Sequence, residues 1–125
     1  MKLIFKIALL CTITFLSINN SIAQAPAPET PRFPSEPKEQ LKYFANQYGS
    51  DYTTLNRVVT CESGWRSTAI GDHGLAYGFF QFHKPTFEVF AKEMGITADY
   101  YSAQDNLKVG AWAFAHGKQS HWTCK

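Results

Sequence analysis

The chain has 125 residues, 45% of them apolar, and carries 12 Lys and Arg against 10 Asp and Glu, a formal net charge of +2. That length accommodates one modest domain and no second core. The slight basic excess is matched by Lys2 and Lys6 near the start, so charge gives no footing for a nucleic-acid or anionic-membrane partner.

Residues 3–18 form an almost wholly apolar run with Lys2 before it and Lys6 inside it. Ser21-Ile22-Ala23 then places small residues at the −3 and −1 positions of a cut after Ala23. Together these predict a secretory signal peptide over residues 1–23, and with it a secreted or periplasmic location. The run is shorter than the roughly 20 residues of a spanning helix, so no stable membrane insertion is expected after cleavage. Leu10 stands where a small residue would precede a lipidated Cys11, which argues against a lipoprotein. Without Lys2 and Lys6, the remaining chain has 12 − 2 = 10 basic residues against 10 acidic ones and a net charge of 0.

Cys11 leaves with the signal peptide, and Cys61 and Cys124 remain. Two cysteines in a secreted chain are most simply one disulfide. Closing so long a loop stabilises a fold by roughly 4 kcal/mol on the chain-entropy model. The rival is a zinc site drawing on His116 and His121, but no Cys-x-x-Cys pair accompanies them, so neither metal nor cofactor is expected.

Residues 24–37 hold five of the six prolines and read as an extended linker. The folded domain is expected over residues 38–125. Its first helix begins with Ser35 as cap and Pro37 in the first turn, buries Leu41, Phe44, Ala45 and Tyr48, and stops at Gly49. A second, capped by Asp51, carries Leu55, Val58, Val59 and Cys61 and ends at Gly64. Residues 66–78, with Gly71, Gly74 and Gly78, read as a loop or short hairpin. A third helix starts around Pro85, buries Phe87, Phe90, Ala91 and Met94, and stops at Gly95. The last runs from Ser102 to His116 with Leu107, Ala111, Phe114 and Ala115 inward, and Gly117 follows. No alternating stretch is long enough for a central sheet, so the fold class is mainly α, with at most a short irregular hairpin.

Chemistry concentrates at Cys61-Glu62-Ser63-Gly64-Trp65 and at Gly78-Phe79-Phe80-Gln81-Phe82. Glu62 falls at the C-terminal end of a buried helix, among small and aromatic residues. Burial and the helix macrodipole both disfavour its charged form, so its carboxyl can hold a proton near neutral pH. A protonated carboxyl within reach of a sugar oxygen is the working group of a glycosidase.

These residues resemble the catalytic domain of soluble lytic transglycosylases, within the lysozyme-like superfamily. Glu62-Ser63 is similar to the family's Glu-Ser pair at a helix end. Gly78-Phe79-Phe80-Gln81 is similar to its Gly-Leu-Met-Gln segment, with both middle residues replaced. Asn106-Leu107 with Gly110 looks like its later Asn-Ile-x-x-Gly helix. Cys61-Glu62-Ser63 and Gln81-Phe82 also resemble small secreted resuscitation-promoting and phage-tail relatives. The likeness covers residues 55–106 well. The family's Ala-Tyr-Asn motif is missing; residues 112–117 read Trp-Ala-Phe-Ala-His-Gly, and Tyr77, Tyr100 and Tyr101 are the candidates to stand in for its tyrosine.

The resemblance implies a small lysozyme-like helical domain acting on peptidoglycan glycan strands, at the β-1,4 bond between N-acetylmuramic acid and N-acetylglucosamine. It makes Glu62 the single general acid and base and the product a 1,6-anhydro sugar. Ser63, Tyr77, Phe80 and Gln81 are the candidate substrate contacts. Asp72, in Gly71-Asp72-His73-Gly74, is the candidate second carboxylate of a hydrolysing alternative, though Asp between glycines is ordinary turn chemistry. A non-catalytic wall-binding module is the other alternative, and a monomer is expected. Ser63 serves equally well as a helix-end hydrogen bonder. Phe79, Phe80 and Phe82 are not all expected in the core, since neighbours point to different faces, and at least one is expected to line a sugar cleft. Trp65, Trp112 and Trp122 read as core. His83, His116 and His121 read as surface or structural.

Overall fold

A computed structural model describes residues 32–124, together with Ala25 and Ala27. The expected signal peptide and most of the linker lie outside the described residues. Four helices dominate: α1 (Pro37–Tyr48), α2 (Tyr52–Ser63), α3 (Lys84–Met94) and α4 (Ala103–Ala115). Among the described residues, no helix is long and apolar enough to cross a membrane.

The helices begin and end where local chemistry dictates. The Asp51 carboxylate accepts the Thr54 N–H at 2.8 Å and starts α2. The Ser102 hydroxyl accepts the Asp105 N–H at 3.2 Å and starts α4. Left-handed Gly49, Gly64 and Gly95 close α1, α2 and α3. The start of α1 differs from expectation: Glu36, not Ser35, holds the cap position, and no side chain caps it. The Gln40 side chain is turned back onto the carbonyls of Pro34 and Ser35 instead.

α4 is the central helix, buried without interruption from Val109 to Phe114 and also at Asn106 and Leu107. α1 lays its Leu41–Phe44–Ala45 face against it, and α2 and α3 pack onto it in turn. Burial from nearly all sides is why a one-face pattern misjudges α4 at its end: Ala115, expected inward, is half-buried. Two other residues expected inward, Tyr48 and Met94, are only partly buried against the core, and Cys61 on α2 is exposed.

Between α2 and α3 the chain forms a small antiparallel sheet, β1 (Ile70–Gly71), β2 (Ala76–Tyr77) and β3 (Phe82–His83), in that order. Ile70 pairs with Tyr77 and Tyr77 with Phe82; Gly71 pairs with Ala76 and Ala76 with His83. The first hairpin falls in the segment read as loop or hairpin, and a short 3-10 turn, Asp72–Gly74, joins its strands.

The turn from Gly78 to Gln81 connects β2 to β3 and is clamped to α4. Asn106, 1% exposed, accepts the Phe80 N–H through Oδ1 at 2.8 Å and donates from Nδ2 to the Tyr77 carbonyl at 3.2 Å. Gly78 adopts φ 83°, and a side chain there would collide with the Asn106 amide. One turn along α4, a Cβ at Gly110 would overlap the Phe80 ring. Asn106 and Gly110 thus explain each other: one ties the turn down by its backbone, the other leaves space for the ring.

That turn also corrects the expectation for the three phenylalanines. Phe79, Phe80 and Phe82 are all core, at 1%, 0% and 2% exposure. Strand alternation does not apply, because Gly78 and Gln81 (φ 51°) twist the backbone between them and let successive rings enter the core in different directions. Trp112 and Trp122 are buried as expected, whereas Trp65 is half-exposed, edge-on to Phe79 at 5.6 Å.

Candidate active site

Glu62 occupies the last turn of α2, and Gly64, left-handed at φ 58°, turns the chain away immediately after. The cleft it faces has a volume of about 560 Å³. Glu62 and the wall formed by Asp72, Ala76, Gln81, Phe82 and His83 line it together. Thr86 from α3 and His121, Trp122 and Thr123 from beyond α4 complete the lining. The sheet therefore serves as a cleft wall, and α2 delivers the carboxyl from the core side.

Burial pushes the Glu62 carboxyl above the usual glutamate range, and the nearby main-chain N–H of Cys124 pulls in the opposite direction. The upward effect is the larger, so the protonated acid is favoured relative to an exposed glutamate. The disulfide joins Cys61, one residue before Glu62, to Cys124 across 63 positions of sequence, with the Cα atoms 6.0 Å apart. It removes both sulfurs from the rival zinc set. Among the described residues, no group of three or more His, Cys, Asp or Glu is placed to hold a metal ion.

Asp72 shares the cleft with Glu62, but its Oδ2 lies 2.7 Å from Nε2 of His83, an ion pair when the imidazole is protonated. Asp72 adopts φ 47° and His73 φ 54°, left-handed backbone that Asp and His tolerate better than most residues. Gln81 also lines the cleft. Its Nε2 donates to the carbonyls of Ala69 and Gly78, both at 2.9 Å, so the amide nitrogen braces the hairpin and only its oxygen remains free of that duty.

The other expected contacts stand elsewhere. Ser63 is 2% exposed and donates its hydroxyl to the Val59 carbonyl at 3.1 Å, the helix-end role. Phe80, wholly buried, offers nothing to a substrate. Tyr77 shares a strand face with Ile70 and Phe82, opposite Ala76 and His83, and packs against Tyr100 at 5.7 Å and Tyr101 at 5.0 Å. None of the three tyrosines is among the residues that line the cleft. The structure thus brings Glu62, Asp72 and Gln81 together and leaves Ser63, Tyr77 and Phe80 out.

Two exposed residues of the cleft lie outside the site candidates named from sequence. His83 and His121, read as surface or structural, both line the cleft. His116 does keep a structural role, stacked on Trp112 at 4.3 Å with Nδ1 against the Trp112 carbonyl. One signal for His121 lay in the sequence: a Cys61–Cys124 bond necessarily draws residues 121–123 toward Glu62.

A small, mainly helical domain with one half-buried glutamate at a helix end, facing a polar cleft walled by a short sheet, has the make-up of a lysozyme-like glycan-cleaving domain. The family model of the transglycosylase SLT domain matches residues 40–121, and the chain belongs to that family. Membership supports a peptidoglycan-degrading function of the lytic transglycosylase type in general. No curated protein and no solved structure matches the chain.

Proposed function

We propose that this domain is a peptidoglycan lytic transglycosylase in which Glu62 alone serves as acid and then base. The observation that carries the reading is the half-buried Glu62, its carboxyl pushed by burial toward the protonated form, inside a cleft of the family's domain. The Glu62 proton passes to the bridging oxygen between N-acetylmuramic acid and N-acetylglucosamine as the C1–O bond breaks and its electron pair leaves with that oxygen. The carboxylate so formed takes the proton of the muramic acid's own C6 hydroxyl while O6 bonds to C1. The product is a 1,6-anhydro end, and no water is consumed. Glycan strands of the wall are the partner, the chain acts as a monomer, and its place of action is the periplasm or the cell exterior.

A hydrolytic alternative draws on one observation, the presence of Asp72 in the same cleft. Its ion pair with His83 counts against a free second carboxylate. An essential acid–base or nucleophilic group contributes roughly 10²–10⁴-fold to rate. The single-carboxylate reading therefore expects Asp72→Asn to keep wall-clearing activity within about tenfold of wild type, since only the His83 contact is altered. A loss of on the order of a thousandfold in a gel-clearing assay, with the fold intact, would move the assignment to the two-carboxylate hydrolase.

A further inference from the structure

Residues Trp122 to Cys124 reach the cleft from two fixed points. Trp122, 5% exposed, donates its indole N–H to the Phe80 carbonyl at 2.8 Å and packs against Phe80, Phe82 and Phe114. Two residues on, Cys124 is bonded to Cys61, the neighbour of Glu62. Thr123, held between them, lines the cleft. The Cys124 main-chain N–H is the influence on the Glu62 carboxyl that opposes burial. Cys61 is exposed, so a reductant can reach the bridge.

A glutamate side chain has three rotatable bonds, and a proton donor must hold its carboxyl within a fraction of an ångström of the bond it cleaves. The core fixes the Glu62 backbone but not its carboxyl. A main-chain N–H anchored by a buried tryptophan on one side and a covalent bond on the other is suited to fix it. We propose that the segment Trp122–Cys124 is a positioning element for Glu62, and that the Cys61–Cys124 disulfide makes cleavage of the glycan strand redox-dependent. This rests on Glu62 being the acid. A dithiol reductant opens the bridge: its two thiols are oxidised to a disulfide, while Cys61 and Cys124 take up two electrons and two protons and become thiols. Cys124 is then tied only through Trp122, and its N–H no longer has a fixed direction.

Losing that donor leaves burial unopposed, so the Glu62 carboxyl moves further up and the alkaline limb of the activity profile moves with it. The other titratable groups lining the cleft are Asp72 from the 3-10 turn after β1, His83 from β3 and His121 from the turn before Trp122. All three are kept in the variants that test the proposal.

Two such variants are needed. Cys61→Ser with Cys124→Ser removes the bridge and keeps the N–H. Insertion of two glycines between Thr123 and Cys124 keeps both the bridge and the Trp122 anchor, and so the fold, but moves the N–H. Peptidoglycan clearing is measured across pH and referred to the folded fraction from near-ultraviolet circular dichroism. Both variants are expected to lose about tenfold or more per folded molecule, with the alkaline limb displaced to higher pH. An alkaline limb unmoved in both, whatever happens to the rate, overturns the proposal and leaves the bridge a purely structural staple. The assignment of Glu62 fails separately, if Glu62→Gln retains wild-type clearing, because that change leaves the segment in place.

Discussion

Glu62→Gln will abolish clearing of peptidoglycan, by about a thousandfold or more, while the domain stays folded. A positioned acid or base is worth roughly 10²–10⁴-fold in rate, and here one group performs both transfers, so a single substitution removes both. Glutamine has the shape of the protonated glutamate and can still accept the Cys124 N–H, but it has no proton to give. The stability side of the prediction has a definite sign. The folded-state carboxyl lies above its unfolded value. Its contribution is therefore fully present below the unfolded pKa and is lost as pH rises through the folded one. Glutamine is neutral throughout, so the variant should unfold at or above the wild-type temperature near neutral pH, and the advantage should vanish in acid. Thermal unfolding at acid and neutral pH checks this. A variant less stable than wild type at neutral pH would contradict burial as the dominant influence on Glu62.

Asn106→Leu will cost about 3 kcal/mol, the largest stability loss expected from any near-isosteric single change near the site. The side chains are similar in volume, so cavity formation is minor. What is lost is the partner of two backbone groups, the Phe80 N–H and the Tyr77 carbonyl. Leaving a buried polar group unpaired costs roughly 1–3 kcal/mol each. For a domain of this size, 3 kcal/mol lowers Tm by roughly 12–24 °C. The loss has a functional side too, since the turn it holds is continuous with Gln81, Phe82 and His83 of the cleft wall. Denaturant unfolding gives the number directly. A loss below about 1 kcal/mol would mean that water or a shifted backbone satisfies those groups.

The helices were legible because their signals are local. Asp51 and Ser102 cap through their own side chains, Pro37 and Pro85 sit in first turns, and the glycines at 49, 64 and 95 take up left-handed backbone within a residue of the helix end. Glu62 was legible for the same reason: its place at the end of α2 follows from Gly64. What escaped depends on contacts between distant segments. β3 and the joint burial of Phe79, Phe80 and Phe82 require the left-handed Gln81, a conformation no propensity assigns to glutamine. The Asp72–His83 pair exists only because β2 brings the two ends of the sheet together. Ser63, Tyr77 and Phe80 were assigned to substrate through their neighbours in a motif. In the structure they make a helix-end hydrogen bond, an aromatic cluster behind the sheet, and the packing against Gly110. In this stretch a motif marks where the site is, while burial decides which of its members face the cleft.

The chemistry at Glu62 is tested most directly by the mass of the sugar ends released from purified peptidoglycan by the oxidised chain. Cleavage by one carboxyl, with the C6 hydroxyl as internal nucleophile, predicts 1,6-anhydro muramic ends lighter by one water than their reducing counterparts, and none with Glu62→Gln. Reducing ends alone, formed at a comparable rate, would contradict it and show that water, not the sugar's own hydroxyl, attacks C1.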